Sequence, residues 1–137
     1  MKKVMVFGVF DLLHPGHISF LKQAKKLGNY LIVSIARDVN VKKTKGFSPV
    51  FSEKLRLKHV KDLKIAKKVI LGALKNPMDH IQKEKPDVIA LGYDQRDYIK
   101  NLKVQLHRNG LKTKVVRLKA FRPDRFKSSI MRKKRNN

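Results

Sequence analysis

The stretch Val4-Met-Val-Phe-Gly-Val-Phe-Asp-Leu-Leu-His-Pro-Gly-His17 decides the fold. Its first four residues form an apolar run closed by Gly8, the pattern of a short strand buried on both faces. From His17 onward, Ile18, Leu21, Ala24 and Leu27 recur at helical spacing until Gly28-Asn29 stops the helix. The same alternation then runs to the far end of the chain. Residues 30–36, 68–71, 87–91 and 113–118 read as four further strands. Between them come a helix capped by Ser52, a short helix opened by Asn76-Pro77, and a helix over 98–109 stopped by Gly110. In the Ser52 helix Leu55, His59, Val60 and Leu63 share one side. Residues 42–49 read as a basic loop punctuated by Gly46 and Pro49, and Ser128-Ser129 can cap a last basic helix. Strands and helices in this order predict a single α/β domain, a five-stranded parallel sheet with helices on both faces. Ligands of such sheets lie beyond the carboxyl ends of the strands, where strand order reverses.

A length of 137 residues fits one domain over 1–137, with a basic tail at 132–137 expected to fray. Apolar residues make up 42 %, enough for a buried core. No apolar run reaches membrane-spanning length, and the apolar stretch at the N-terminus is too short for a signal peptide. The expectation is a cytoplasmic protein with no membrane contact. The absence of cysteine excludes disulfides, thiolate metal sites and a cysteine nucleophile. The 34 Lys and Arg against 10 Asp and Glu give a net charge of +24, which narrows the partner to something anionic. A nucleoside triphosphate, a phosphorylated metabolite and nucleic acid all satisfy that.

The segment after the first strand carries the chemistry. Gly8 allows a tight turn with no side chain in the way of a phosphate. His14 and His17 are three apart at a helix start, so their imidazoles project from the same end. Pro15 and Gly16 suit a helix entry, and Gly16 again permits close backbone approach. The free amides and positive dipole end of that helix favour an anion. Two imidazole donors beside those amides make a cradle for a phosphate that gains charge as a leaving group departs.

The string GVFDLLHPGH resembles the GTFDxxHxGH signature of the cytidylyltransferase-like nucleotidyltransferases. That resemblance implies a Rossmann-like domain that transfers a nucleoside monophosphate from a triphosphate to a phosphorylated acceptor, releasing pyrophosphate. Ala36-Arg-Asp38, Lys43-Thr-Lys-Gly46, Arg56, Ala90-Leu-Gly-Tyr-Asp-Gln95 and Phe126-Lys-Ser-Ser129 extend it along the chain. Within the family these strings are most similar to the archaeal-type FAD synthetase branch, which transfers AMP from ATP to FMN. Two positions depart from the family pattern. Val9 stands where Thr is usual, and Ala66 where many members have Asp.

The resemblance implies a catalytic set of His14, His17, Lys43 and Lys45. The nucleotide site would comprise Gly8, Val9, Phe10, His14, Pro15, Gly16, His17, Asp94, Phe121, Ser128 and Ser129. Asp11 and Arg56 fall to the acceptor side, with other uses open: Asp11 could touch a divalent ion or hold the loop, and Arg56 could pair with Glu53. No protein ligand for a metal is assigned; Mg²⁺ or another divalent cation would come with ATP, FMN being substrate and FAD product. A homodimer is in keeping with the family. Two alternatives stand beside this reading. One is cytidylyl transfer to glycerol 3-phosphate or a related alcohol phosphate; the other is a nucleic-acid-binding protein on an inactive fold, which the resemblance disfavours. His59, His80 and His107 have no motif around them and read as structural or exposed.

Overall fold

Alternation along the first strand sets the layering. A computed structural model describes residues 1–92, 95 and 102–119. In β1 (Lys3–Gly8) successive side chains face opposite ways. Val4 and Val6 enter one core with Leu21, Ala24 and Val60, while Met5 and Phe7 enter another with Met78, Ile81, Leu102 and Leu106. The helices that supply those partners are α1 (Pro15–Lys25) and α3 (Glu53–Asp62) on one face, and α4 (Pro77–Glu84) and α5 (Leu102–Arg108) on the other. Between α1 and α3 run β2 (Tyr30–Ile35) and α2 (Asp38–Lys45); the remaining strands are β3 (Lys68–Leu71), β4 (Val88–Leu91) and β5 (Lys114–Arg117). All pairings are parallel, in the order β3-β2-β1-β4-β5. This is the single Rossmann-like α/β domain with helices on both faces that the sequence pattern implies.

Strand order reverses between β1 and β4. There the ladder is short: β1 meets β4 at Val4–Val88 and Met5–Ile89, whereas it follows β2 from Lys3–Tyr30 to Gly8–Ile35. The carboxyl ends of β1 and β4 therefore part and open a crevice, the place where sheets of this kind take ligands. No described helix is long and apolar enough to cross a membrane.

Two expectations need correction. The stretch read as a basic loop is helical through Lys45; α2 ends only at Gly46, whose φ of 82° and N–H bond to the Lys42 carbonyl at 2.8 Å make the left-handed stop. Asp38 in its first turn and Lys42, Lys43 and Lys45 in its last suit the helix dipole. In α3 the buried side chains are Arg56 and Val60, and Leu55 is exposed. Arg56 displaces Leu55 from the inner face because two carbonyls and a carboxylate await its guanidinium there. Asp94, Phe121, Ser128, Ser129 and the tail 132–137 lie outside the described residues.

Candidate active site

The two histidines of the motif build the start of α1. His14 is the N-cap, with extended backbone, and its Nδ1 accepts the Gly16 N–H at 3.0 Å. His17 reaches back, its Nδ1 accepting the His14 N–H at 3.3 Å. This is a capping box in which imidazoles take the places usual for Ser or Thr and Glu or Gln. The rings lie 4.0 Å apart, 35° from parallel. Use of Nδ1 as acceptor puts the hydrogen of each neutral ring on Nε2. Burial pushes the His14 pKa below the ordinary histidine value, which keeps that ring neutral near pH 7. The helix thus selects the tautomer in which both rings carry an Nε2–H donor.

The glycines serve these rings. A Cβ on Gly16 would lie 2.7 Å from His14 Cε1, and one on Gly8 would lie 2.6 Å from Phe10 Cε2. A side chain at either position would meet the aromatic atoms of the motif itself. Phe10 holds the left-handed φ of 51°, uncommon outside glycine, and burial locks it there. Its ring packs on His17 and Phe20, at 5.6 and 6.2 Å between centroids. Pro15 occupies the first turn of α1, where no amide partner is lost.

Below the loop lies a polar clasp. Asp38 and Glu53, each in the first turn of its helix, exchange caps: the Asp38 N–H donates to Glu53 Oε1 at 2.9 Å, and the Glu53 N–H to Asp38 Oδ2 at 3.1 Å. Arg37 bridges Glu53 and the Gly72 carbonyl. Arg56 has 0 % of its surface exposed and spends its donors on the Val9 carbonyl (2.8 Å), the Phe51 carbonyl (3.1 Å) and Asp38. Its ion-pair partner is Asp38, since Glu53 is taken by Arg37. Asp11 accepts the Val50 and Phe51 N–H groups at 2.7 and 2.9 Å. Both residues assigned to the acceptor thus bind the phosphate loop to the α2–α3 connection. Lys43 and Lys45 are exposed on the last turn of α2.

Gln95, the last residue of the string Ala90-Leu-Gly-Tyr-Asp-Gln95, joins the parted strands. Its amide oxygen accepts the Gly92 N–H at 2.8 Å, and its nitrogen donates to the Phe7 carbonyl at 2.9 Å. A glutamine four residues past a strand gives no warning of this; only the strand order does. Of the other histidines, His59 meets Phe51 edge to face at 4.9 Å, His80 is half-buried and His107 is exposed. Among the described residues no group of three His, Asp or Glu could hold a metal ion. Ala66, where an acid is frequent in the family, packs against the core beside α3.

A parallel sheet parted at its switch point, with paired imidazole donors heading the first helix, defines an α/β enzyme that handles nucleotide phosphates. Residues 5–134 match the Cytidylyltransferase-like family, and the chain belongs to it; it is a nucleotidyltransferase. It is 47 % identical over 120 residues to the FAD synthase of Ferroglobus placidus, covering 88 % of this chain and 78 % of that one. The FAD synthase of Thermoplasma acidophilum is 41 % identical over 134 residues, 98 % of this chain and 94 % of the other. Among solved structures, the lipopolysaccharide core biosynthesis protein from Thermoplasma volcanium GSS1 is similar with a TM-score of 0.83 and 40 % identity, over 88 % of this chain and 98 % of that one.

Proposed function

We propose that this nucleotidyltransferase makes FAD, transferring AMP from ATP to FMN. The acceptor is supported by the FAD synthase relatives, which match most of the chain. The reaction rests on one observation above the rest: two imidazoles, each with Nδ1 engaged by a backbone amide, head the helix that follows β1, beside the reversal of strand order. With the triphosphate seated over that helix start, an FMN phosphate oxygen attacks the α-phosphorus in line. The new O–P bond forms as the bond to the bridging oxygen breaks, and pyrophosphate leaves with the electron pair. A phosphate dianion is already a nucleophile, so no general base is needed. The amides at the helix start are already taken by the imidazole caps and the first turn, so positioning and charge stabilisation by the Nε2–H donors, with the positive end of the helix dipole behind them, supply the catalysis.

Lys43 and Lys45, on the exposed end of α2, meet the α-phosphate and the acceptor phosphate. Asp11 and Arg56, with their polar atoms already engaged, act by holding the loop and leave acceptor contact to other groups. Asp94, Phe121, Ser128 and Ser129 keep the nucleotide-binding roles that the family resemblance implies. Mg²⁺ or another divalent cation would be held by triphosphate oxygens and its own waters, and when bound it neutralises charge on the pyrophosphate. A chain without cysteine suits the reducing cytoplasm, where we place the enzyme.

The test is incubation of purified protein with FMN and either ATP or CTP, followed by chromatography. FAD and pyrophosphate with ATP are expected. A CDP-alcohol formed from CTP and glycerol 3-phosphate, with no FAD from ATP, would overturn the assignment.

A further inference from the structure

Exposed large apolar side chains are not scattered over this surface. Among the described residues there are eight, and six of them (Leu12, Val39, Phe47, Val50, Leu55 and Leu74) follow the carboxyl ends of β1, β2 and β3 or begin the helix that returns from there. Only Met1 and Val104 lie elsewhere. Single exposed apolar residues need no explanation, but a group of them at one rim marks a binding surface. Phe47 and Val50 are 63 % and 71 % exposed, in the connection between α2 and α3. That connection is tied to the phosphate loop, because Asp11 holds the Val50 and Phe51 amides three residues ahead of His14. Of its two aromatic residues, Phe51 is used internally against His59, and Phe47 presents most of its surface to solvent.

Charge completes the pattern. Lys42, Lys43 and Lys45 form the last turn of α2, and a single glycine separates them from Phe47. A ligand matching this order carries a phosphate at one end and a flat apolar ring at the other. We propose that Phe47, on the same exposed rim as Val50 and Leu12, is the platform for the isoalloxazine ring of FMN, and that it sets acceptor specificity. This rests on the FAD synthase reading and adds to it the residues that recognise the flavin.

The experiment measures KM for FMN and for ATP in the full chain and in its Phe47→Ala and Phe47→Trp variants, with a thermal melt as a control for folding. Loss of one stacked aromatic should raise KM for FMN about tenfold, equivalent to about 1.4 kcal/mol, and leave KM for ATP where it was. Phe47→Trp should restore the FMN value and quench flavin fluorescence more strongly on binding. A folded Phe47→Ala enzyme whose KM for FMN stays within about twofold of the parent overturns the platform while the FAD synthase reading stands. A shift from dimer to monomer in that variant, with KM for FMN unmoved, overturns it equally and gives the apolar rim to a second copy of the chain. An unaltered protein that makes no FAD brings down the function first and the platform with it.

Discussion

Arg56→Met isolates the clasp beneath the phosphate loop. Methionine keeps the unbranched apolar stem of a side chain with no exposed surface, and removes only the guanidinium. Three acceptors lose their donor: the Val9 carbonyl, the Phe51 carbonyl and Asp38. A buried acceptor left without a partner costs roughly 1–3 kcal/mol. Val9 and Phe51 belong to half-exposed residues that water can reach, so each falls near the low end, about 1 kcal/mol. The Asp38 side chain is 41 % exposed, which screens its ion pair and brings that loss to about 1 kcal/mol as well. Relief from burying a cation offsets part of the total. The net expectation is a loss of about 2–3 kcal/mol, read as a fall in the urea midpoint of about 1 M or more. Arg56→Lys, with one charge and no fork, should recover less than half of it. FAD formation should fall in both variants, since the Val9 carbonyl is no longer fixed. A midpoint shift below about 0.3 M for Arg56→Met would refute the view that this arginine braces the loop.

The capping role of His14 can be separated from its catalytic one. His14→Ser keeps an N-cap acceptor, so its melt should stay within about 0.5 kcal/mol of the parent, while turnover falls about a hundredfold; turnover within tenfold would remove the imidazole from the reaction. His14→Ala should lose the same activity and about 1 kcal/mol of stability besides, read from a denaturation curve. Burial lowers the His14 pKa, so between the folded value and the ordinary one the unfolded chain binds more protons. That stability is complete above the ordinary histidine value and is lost as pH falls below it. The melting temperature should therefore drop more between pH 7.5 and 5.5 in the parent than in His14→Ser, and parallel curves would contradict it. Gly16→Ala gains helix propensity but displaces the His14 ring that caps α1, so stability should change by no more than about 1 kcal/mol while turnover falls about tenfold or more. Steady-state kinetics on a folded variant decides this.

What could be read in advance was what local pattern specifies. An apolar run, a glycine and residues at helical spacing placed β1 and α1, and the repeat of that unit gave the parallel sheet. The α2 helix escaped because it buries only Val41 and has little apolar periodicity to show. Its caps come from α3, and partners fifteen residues apart leave no local trace. Arg56 goes to the acceptor side on the family resemblance alone, with a pair to Glu53 as the other use; its burial depends on carbonyls delivered by two other segments. The histidines were seen as phosphate donors from their spacing alone. Their capping use was hidden because capping boxes are sought as Ser or Thr followed by Glu or Gln.

The exchange of carboxylates between Asp38 and Glu53 has a consequence for how this region moves. Neither helix owns its cap, so neither can fray alone: opening α2 at its start strips α3 of the oxygen that holds the Glu53 amide, and the converse holds equally. Residues 38–53 are thereby a closed ring, with Arg56 and Asp11 fastening it to the strand β1 side. Such a ring should behave as one cooperative opening unit in amide exchange. Its lysines and its exposed phenylalanine would then be held in place, or released, together.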